Sequence, residues 1–294
     1  MLKLAAESEV QEHIEVTMDD DSAQAAPELP PTQGLRDRLH ALERERQAAF
    51  SQMHRMVADL GSLKQGHDRW IREMERSQGD IMFRLALVAE YRAGGTPGKV
   101  LRMGVMAAML ASALGCDEAF CERLQFAAPL LDIGEIGLPD SLFTGAILND
   151  IERELMRSHC RLGHALLIDS VSPEIALAAT IALGHHERFN GGGYPNRLRG
   201  QDIPLACRIV AVIDSFDALT QKRPFRDAYS MAVAAEMVMA GSGTQFDPAV
   251  IEAFRRISEA LLLVRWLLDE ASPHPEGRRW LGKPAEPGLW KRFL

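Results

Sequence analysis

Aromatic residues make up only 6% of this sequence, although hydrophobic residues reach 47%. A core built from it has to be aliphatic and methionine-rich, a composition that suits packed helices better than sheets. No stretch of about eighteen apolar residues runs free of charge, which excludes a membrane-spanning helix. The opening MLKLAAESEVQEHIE turns acidic too early for a secretory signal. Cysteine is confined to positions 116, 121, 160 and 207, with no C-x-x-C pair. That excludes a tight disulfide framework and fits free thiols in a reducing cytoplasm. Basic charge is also short. Residues 1–34 hold eight carboxylates and the single Lys3, so nearly all of the formal charge of -8 belongs to this segment. The rest of the chain is close to neutral and offers no broad basic surface, so nucleic acid is not an expected partner.

What is present divides the chain into four segments. Residues 1–34, with MDDDSAQAAPELPPTQG and few large apolar side chains, read as a disordered acidic tail. From 35 to 77 a heptad seam runs through Leu35, Leu39, Leu42, Ala49, Met53, Met56, Leu60, Leu63, Trp70 and Met74, and continues to Ile81. Arg46, His67 and Ser77 interrupt it, and charged runs such as RERERQ lie between. A two-stranded coiled coil buries such a seam, so a homodimer through this helix is expected; a single amphipathic helix folded back on the domain is the alternative. Gly61, Gly66 and Gly79 weaken the helix by about 1 kcal/mol each. Residues 78–257 carry helical patterns throughout, beginning with IMFRLALVAEYRA and KVLRMGVMAAMLASAL split by GGTPG. Further helices are expected near 118–131, 148–169, 173–185, 204–219, 227–240 and 247–268. The methionines 103, 106 and 109 read as packing. Residues 258–294 read as the end of the last helix and an extended tail, with Trp280, Trp290 and Phe293 free to dock.

Two stretches hold the chemistry: LLDIGEIGLPDSLF with the later MRSHCRLG, and HHERFNGGGYPNRLRGQDIPLACRIVAVIDSFDALTQKRPF. Asp132, His159, His185, His186 and Asp214 offer nitrogen and oxygen donors suited to Mn, Fe, Zn or a similar divalent ion. Neighbouring residues on a helix point about 100° apart, so His185 and His186 can serve two ions, or one ion and a substrate. Arg223 and Arg226 can share a face and grip phosphates, and GGGYP places Tyr194 at the tip of a loop that permits close approach. On residue types alone, ordinary capping and core histidines are the stronger reading. His164 reads as surface or capping, and Cys160 and Cys207 read as packing.

The same stretches resemble the HD-GYP family. The match runs through His185-His186-Glu187, Gly191-Gly192-Gly193-Tyr194-Pro195, Ile203-Pro204-Leu205, Asp214-Ser215-Phe216-Asp217-Ala218-Leu219-Thr220, Arg223-Pro224-Phe225 and Gly243-Thr244-Gln245-Phe246-Asp247-Pro248. The resemblance implies an all-α, HD-type helical bundle over 78–257 and metal-dependent hydrolysis of cyclic di-GMP. It also implies the metal ligands Asp132, His159, His185, His186 and Asp214, with Tyr194, Arg223 and Arg226 toward the substrate. Three positions depart from the family pattern. TPGKVLRM places Lys99 where the first histidine ligand belongs, and LDIGE replaces H-D-I-G-K, giving Leu131 for histidine and Glu135 for lysine. No histidine lies between 68 and 158 to replace either loss. Both lost ligands serve the same metal, so one ion or none is expected, with Lys99 pairing Asp214 or Asp132 instead. The expected role is a catalytically impaired regulatory module in the cytoplasm that binds cyclic di-GMP or a signalling partner. The alternative is an active phosphodiesterase releasing pGpG or GMP with a reduced metal set.

Overall fold

Ten α-helices account for most of the computed structural model, which describes residues 32–144, 147–222, 227–269 and 286–294. The acidic tail up to residue 31, Arg223, Arg226 and Trp280 lie outside the described residues. No β-strand forms among the described residues, as the aromatic-poor composition predicts. The chain divides into two units, Met1–His67 and Asp68–Leu294.

Helix α1 (Thr32–Arg92), whose first half belongs to the first unit, begins three residues before the expected Leu35. Its seam residues Leu35, Leu39, Leu42, Met53, Met56, Leu60 and Leu63 are between 52% and 71% exposed. The glycines at 61 and 66 do not interrupt the helix.

The second unit is organised around α2 (Pro97–Ala113), which is buried over nearly its whole circumference, as a helix apolar on all sides must be. Met103, Met106 and Met109 are fully buried in the core, as their packing role requires. Gly104 lets α3 (Glu118–Ala127) approach closely, since a Cβ there would stand 2.3 Å from the Gln125 carbonyl oxygen. The remaining helices are α4 (Asp150–Arg157), α5 (His159–Leu167), α6 (Pro173–Gly184), α7 (Leu205–Leu219), α8 (Met231–Ala240), α9 (Pro248–Arg256) and α10 (Ser258–Leu267). Two runs expected as single helices are broken, at Ser158 and at Ile257. At the first break the Met156 carbonyl accepts a hydrogen bond from His159 Nδ1 at 2.7 Å, so the break directs that ring.

A buried ion pair ties the bundle together. Arg102 donates to both carboxylate oxygens of Asp217, at 2.6 and 3.2 Å, and to the Leu268 carbonyl at 3.0 Å. Arg265 joins from α10, with Nε 2.8 Å from Thr220 Oγ1 and 3.4 Å from Asp217 Oδ1. Asp217 is held below the ordinary carboxylate range: burial opposes its charge, and the two guanidinium groups prevail. The C-terminal segment docks on α2 through the buried Leu289 and Trp290, and Gln125 Nε2 donates to the Glu286 carbonyl at 2.8 Å. No helix among the described residues is long and apolar enough to cross a membrane.

Candidate metal centre

Asp132 precedes a 3-10 turn (Ile133–Gly137) that lies against α5. Gly134 makes that contact feasible, because a Cβ would fall 2.0 Å from the His159 carbonyl oxygen and 2.4 Å from the Gly163 nitrogen. The turn thus brings Asp132 beside His159, the first residue of α5. His185 caps the C-terminus of α6, and its Nδ1 lies 3.0 Å from the Ile181 carbonyl and 3.1 Å from that of Ala182. Carbonyls only accept, so the Nδ1 atoms of His159 and His185 both carry protons. Their Nε2 atoms then turn toward each other, 3.4 Å apart. Asp132 Oδ1 completes the triangle at 3.7 Å from His159 Nε2 and 3.4 Å from His185 Nε2.

With the His185 Nε2 proton displaced, three electron-rich atoms in this arrangement would face one cation. Ligands about 2.1 Å from a common ion at ordinary coordination angles lie about 3 to 3.4 Å apart. The triangle is close to that size, so the donor set suits a divalent ion. The His186 ring lies 4.0 Å from that of His185 and 5.2 Å from that of His159. Burial and the neighbouring His185 hold His186 well below its ordinary pKa, and burial also lowers His159, so both are neutral rings with lone pairs to offer. Burial opposes charge on His185 too, but its bond to Asp132 carries it above the ordinary value.

The other oxygen of Asp132 faces Lys99, whose Nζ is 3.1 Å from Oδ2 and 3.2 Å from Glu90 Oε2. Of the two partners anticipated for the lysine, Asp132 makes the contact; Asp214 makes no ion pair with it among the described residues. Asp214, on α7, sits above its ordinary pKa through burial, with the attraction of Lys99 working against that rise. Burial likewise disfavours the charges of Lys99 and Asp132. Their mutual attraction prevails, holding the ammonium well above and the carboxylate well below their usual ranges. Glu90 is the component that motif reading missed. Its one signal is an acid inside the apolar run ALVAEYRA, and Gly95 makes space for it, since a Cβ would overlap Glu90 Oε1. Glu135 is half-buried, and burial together with Asp132 pushes its carboxyl up to about 8. Leu131 is buried in the hydrophobic core.

Tyr194 stands over His186 with ring centroids 4.8 Å apart, and Arg157 lies over the tyrosine at 5.1 Å. The loop carrying the tyrosine is fixed by Glu187, which accepts from the backbone nitrogens of Asn196 at 2.7 Å and Leu198 at 3.0 Å. At Gly193 a Cβ would meet the Arg188 nitrogen at 2.3 Å. The backbone nitrogens of Phe189 and Asn190 donate to the carbonyls of Gln245 and Thr244, so the GTQFDP segment braces the same loop. Arg208 joins Asp247 at 2.5 Å and the Ile203 carbonyl at 2.8 Å. Beside this loop is a cleft of about 520 Å³ lined by Arg157, Arg161, Tyr194 and Arg197. The arginines flanking His159 in MRSHCRLG were not singled out from sequence. His164, read as surface or capping, bonds the Ala179 carbonyl at 3.1 Å and is not among the clustered donors.

Comparison with known proteins agrees with this architecture. Residues 43–250 match the HD domain family. A cyclic di-GMP phosphodiesterase of Thermotoga maritima is 35% identical over 260 residues, covering 88% of this chain and 69% of that protein. The cyclic di-GMP phosphodiesterase response regulator RpfG of Xanthomonas campestris is 38% identical over 234 residues, covering 79% of this chain and 59% of its own length. Among solved structures, a cyclic GMP-AMP specific phosphodiesterase of Vibrio cholerae (V-cGAP3) shares the fold at a TM-score of 0.52 and 22% identity, over 70% of this chain and 54% of that one. With the all-helical bundle, the HHE-GYP loop and the DSFDALT helix in place, the chain is a diverged HD-GYP protein of the HD domain family.

Proposed function

We propose that this chain is a cyclic di-GMP-binding regulator in which one metal ion at most is retained and hydrolysis is impaired. The supporting observation is the position of Lys99, bonded to both Asp132 and Glu90. Hydrolysis of a phosphodiester commonly uses two ions about 3.5–4 Å apart. An ammonium offsets carboxylate repulsion but does not lower the pKa of a water as a metal does. Asp132, His159 and His185 are the ligands of the retained ion, with His186 beside them; Asp214 is left on the lysine side. When bound, that ion supplies positive charge to a phosphate oxygen.

The protein's own side chains account for nucleotide binding. Tyr194 offers an aromatic face for a base, and Arg157 and Arg161 offer guanidinium forks for phosphates, with Arg223 and Arg226 as further contacts. Glu135 replaces a cation by a carboxyl group and so weakens the hold on a phosphate. Residues 35–77 form the homodimer through their exposed seam, and 78–257 form the nucleotide-binding domain. The buried thiols fit a cytoplasmic setting.

The test is paired titration and turnover of the full chain with cyclic di-GMP, in the presence of Mn, Fe or Zn. Binding without release of pGpG or GMP is expected. Turnover that His185→Ala abolishes would establish the active phosphodiesterase instead, a reading favoured by the activity named for the 35–38% identical relatives.

A further inference from the structure

We propose that Cys160 is a ligand of the retained ion, which makes the centre a zinc-type site rather than an iron or manganese one. The inference rests on the reading that the histidine cluster holds a metal. Cys160 follows His159 at the start of α5, fully buried, with Sγ 3.4 Å from His159 Nε2. One donor atom from each of His159, Cys160, His185 and His186 lies within 4.8 Å of all the others. His159 and His185 thus form a shared edge. Asp132 Oδ1 faces this edge, while its Oδ2 bonds Lys99. His186 and Cys160 belong to the same cluster.

The sulfur decides the ion. Lys99 offsets part of the Asp132 charge, whereas nothing cationic bonds the sulfur among the described residues. Imidazoles and one thiolate beside the Asp132 oxygen form a donor set that favours zinc over manganese or magnesium, which prefer oxygen alone. A thiol takes up a divalent ion as the thiolate. On binding, the S–H bond breaks, the sulfur lone pair bonds the divalent ion, and the proton passes to buffer. One ion bound therefore releases one proton from Cys160.

Zinc X-ray absorption and cobalt(II) optical spectra of the full chain test this, with zinc or cobalt added alone. The expected result is one sulfur neighbour at about 2.3 Å from zinc beside nitrogen at about 2.0–2.1 Å, and a near-ultraviolet sulfur-to-cobalt charge-transfer band. Cys160→Ser should remove both signals and weaken zinc binding at least about tenfold, with Cys160→Ala as a second variant should the first fold poorly. Bound metal with only nitrogen and oxygen neighbours in the unaltered protein would overturn the assignment of Cys160 and leave the histidine site standing. No bound zinc or cobalt at all would overturn the metal site itself and the assignment with it.

Discussion

Lys99 Nζ stands 3.1 Å from Asp132 Oδ2, while Oδ1 of the same carboxylate faces the Nε2 atoms of His159 and His185. One aspartate therefore joins an internal cation to a prospective metal site. Glu90 shares the lysine at 3.2 Å, so the ammonium is the positive centre of a largely buried acidic group that also includes Asp214.

Removing that cation should be costly. Lys99→Met leaves Glu90 and Asp132 without their partner, and breaking a buried pair typically costs about 3–5 kcal/mol. A drop of that order in denaturant-unfolding stability is expected, with part of it recovered when a divalent ion is added. An unchanged unfolding midpoint would show that the pair is not formed.

Glu135 gives stability a pH dependence. Its folded pKa is raised from 4.5 to about 8, so its contribution is fully present below about 4.5 and is lost as pH rises through about 8. Between those limits the metal-free protein should lose stability on the order of a few kcal/mol, with Glu90 adding in the same direction. Glu135→Gln should flatten the profile measured by denaturant titration in chelator. A variant profile parallel to that of the unaltered protein would contradict the assignment.

Arg157 and Arg161 should matter for ligand rather than for folding. Arg157 pairs with Glu154 at 3.2 Å on the surface, a contact that contributes little to stability. Changing either arginine to alanine should weaken cyclic di-GMP binding about tenfold, the loss of one charge-assisted hydrogen bond, with the melting temperature unchanged. Calorimetric titration measures the first quantity and thermal unfolding the second.

The seam of α1 carries the assembly prediction. Leu39 and Leu60 are 57% and 64% exposed in the single chain. Leu39→Lys with Leu60→Lys should convert a dimer to a monomer in sedimentation velocity while leaving nucleotide binding per chain intact. Identical sedimentation of the two proteins would place the dimer contact elsewhere, or nowhere.

Much of the architecture was legible because helices announce themselves locally. The four-and-three spacing after Leu35, the GGTPG break and the buried methionines of α2 are all properties of neighbouring residues. The Lys99 substitution was legible because it falls inside a motif. Its partner Glu90 was not, since only folding brings the end of α1 against the start of α2. The break at Ser158 was hidden because residues 148–169 carry an unbroken apolar pattern; the hydrogen bond from His159 Nδ1 to the Met156 carbonyl goes with it. Cys160 reads as packing because burial and ligation place the same demand on the sequence. Gly134 shows the converse: its need is a contact with α5, which no neighbouring residue reveals.

Metal stoichiometry separates a one-ion site from a two-ion site. The full chain, loaded with zinc or manganese, freed of excess ion and weighed by native mass spectrometry, should carry one ion per chain and hold it only with His159 and His185 intact. Two ions per chain in the unaltered protein, with Lys99 in place, would contradict the account.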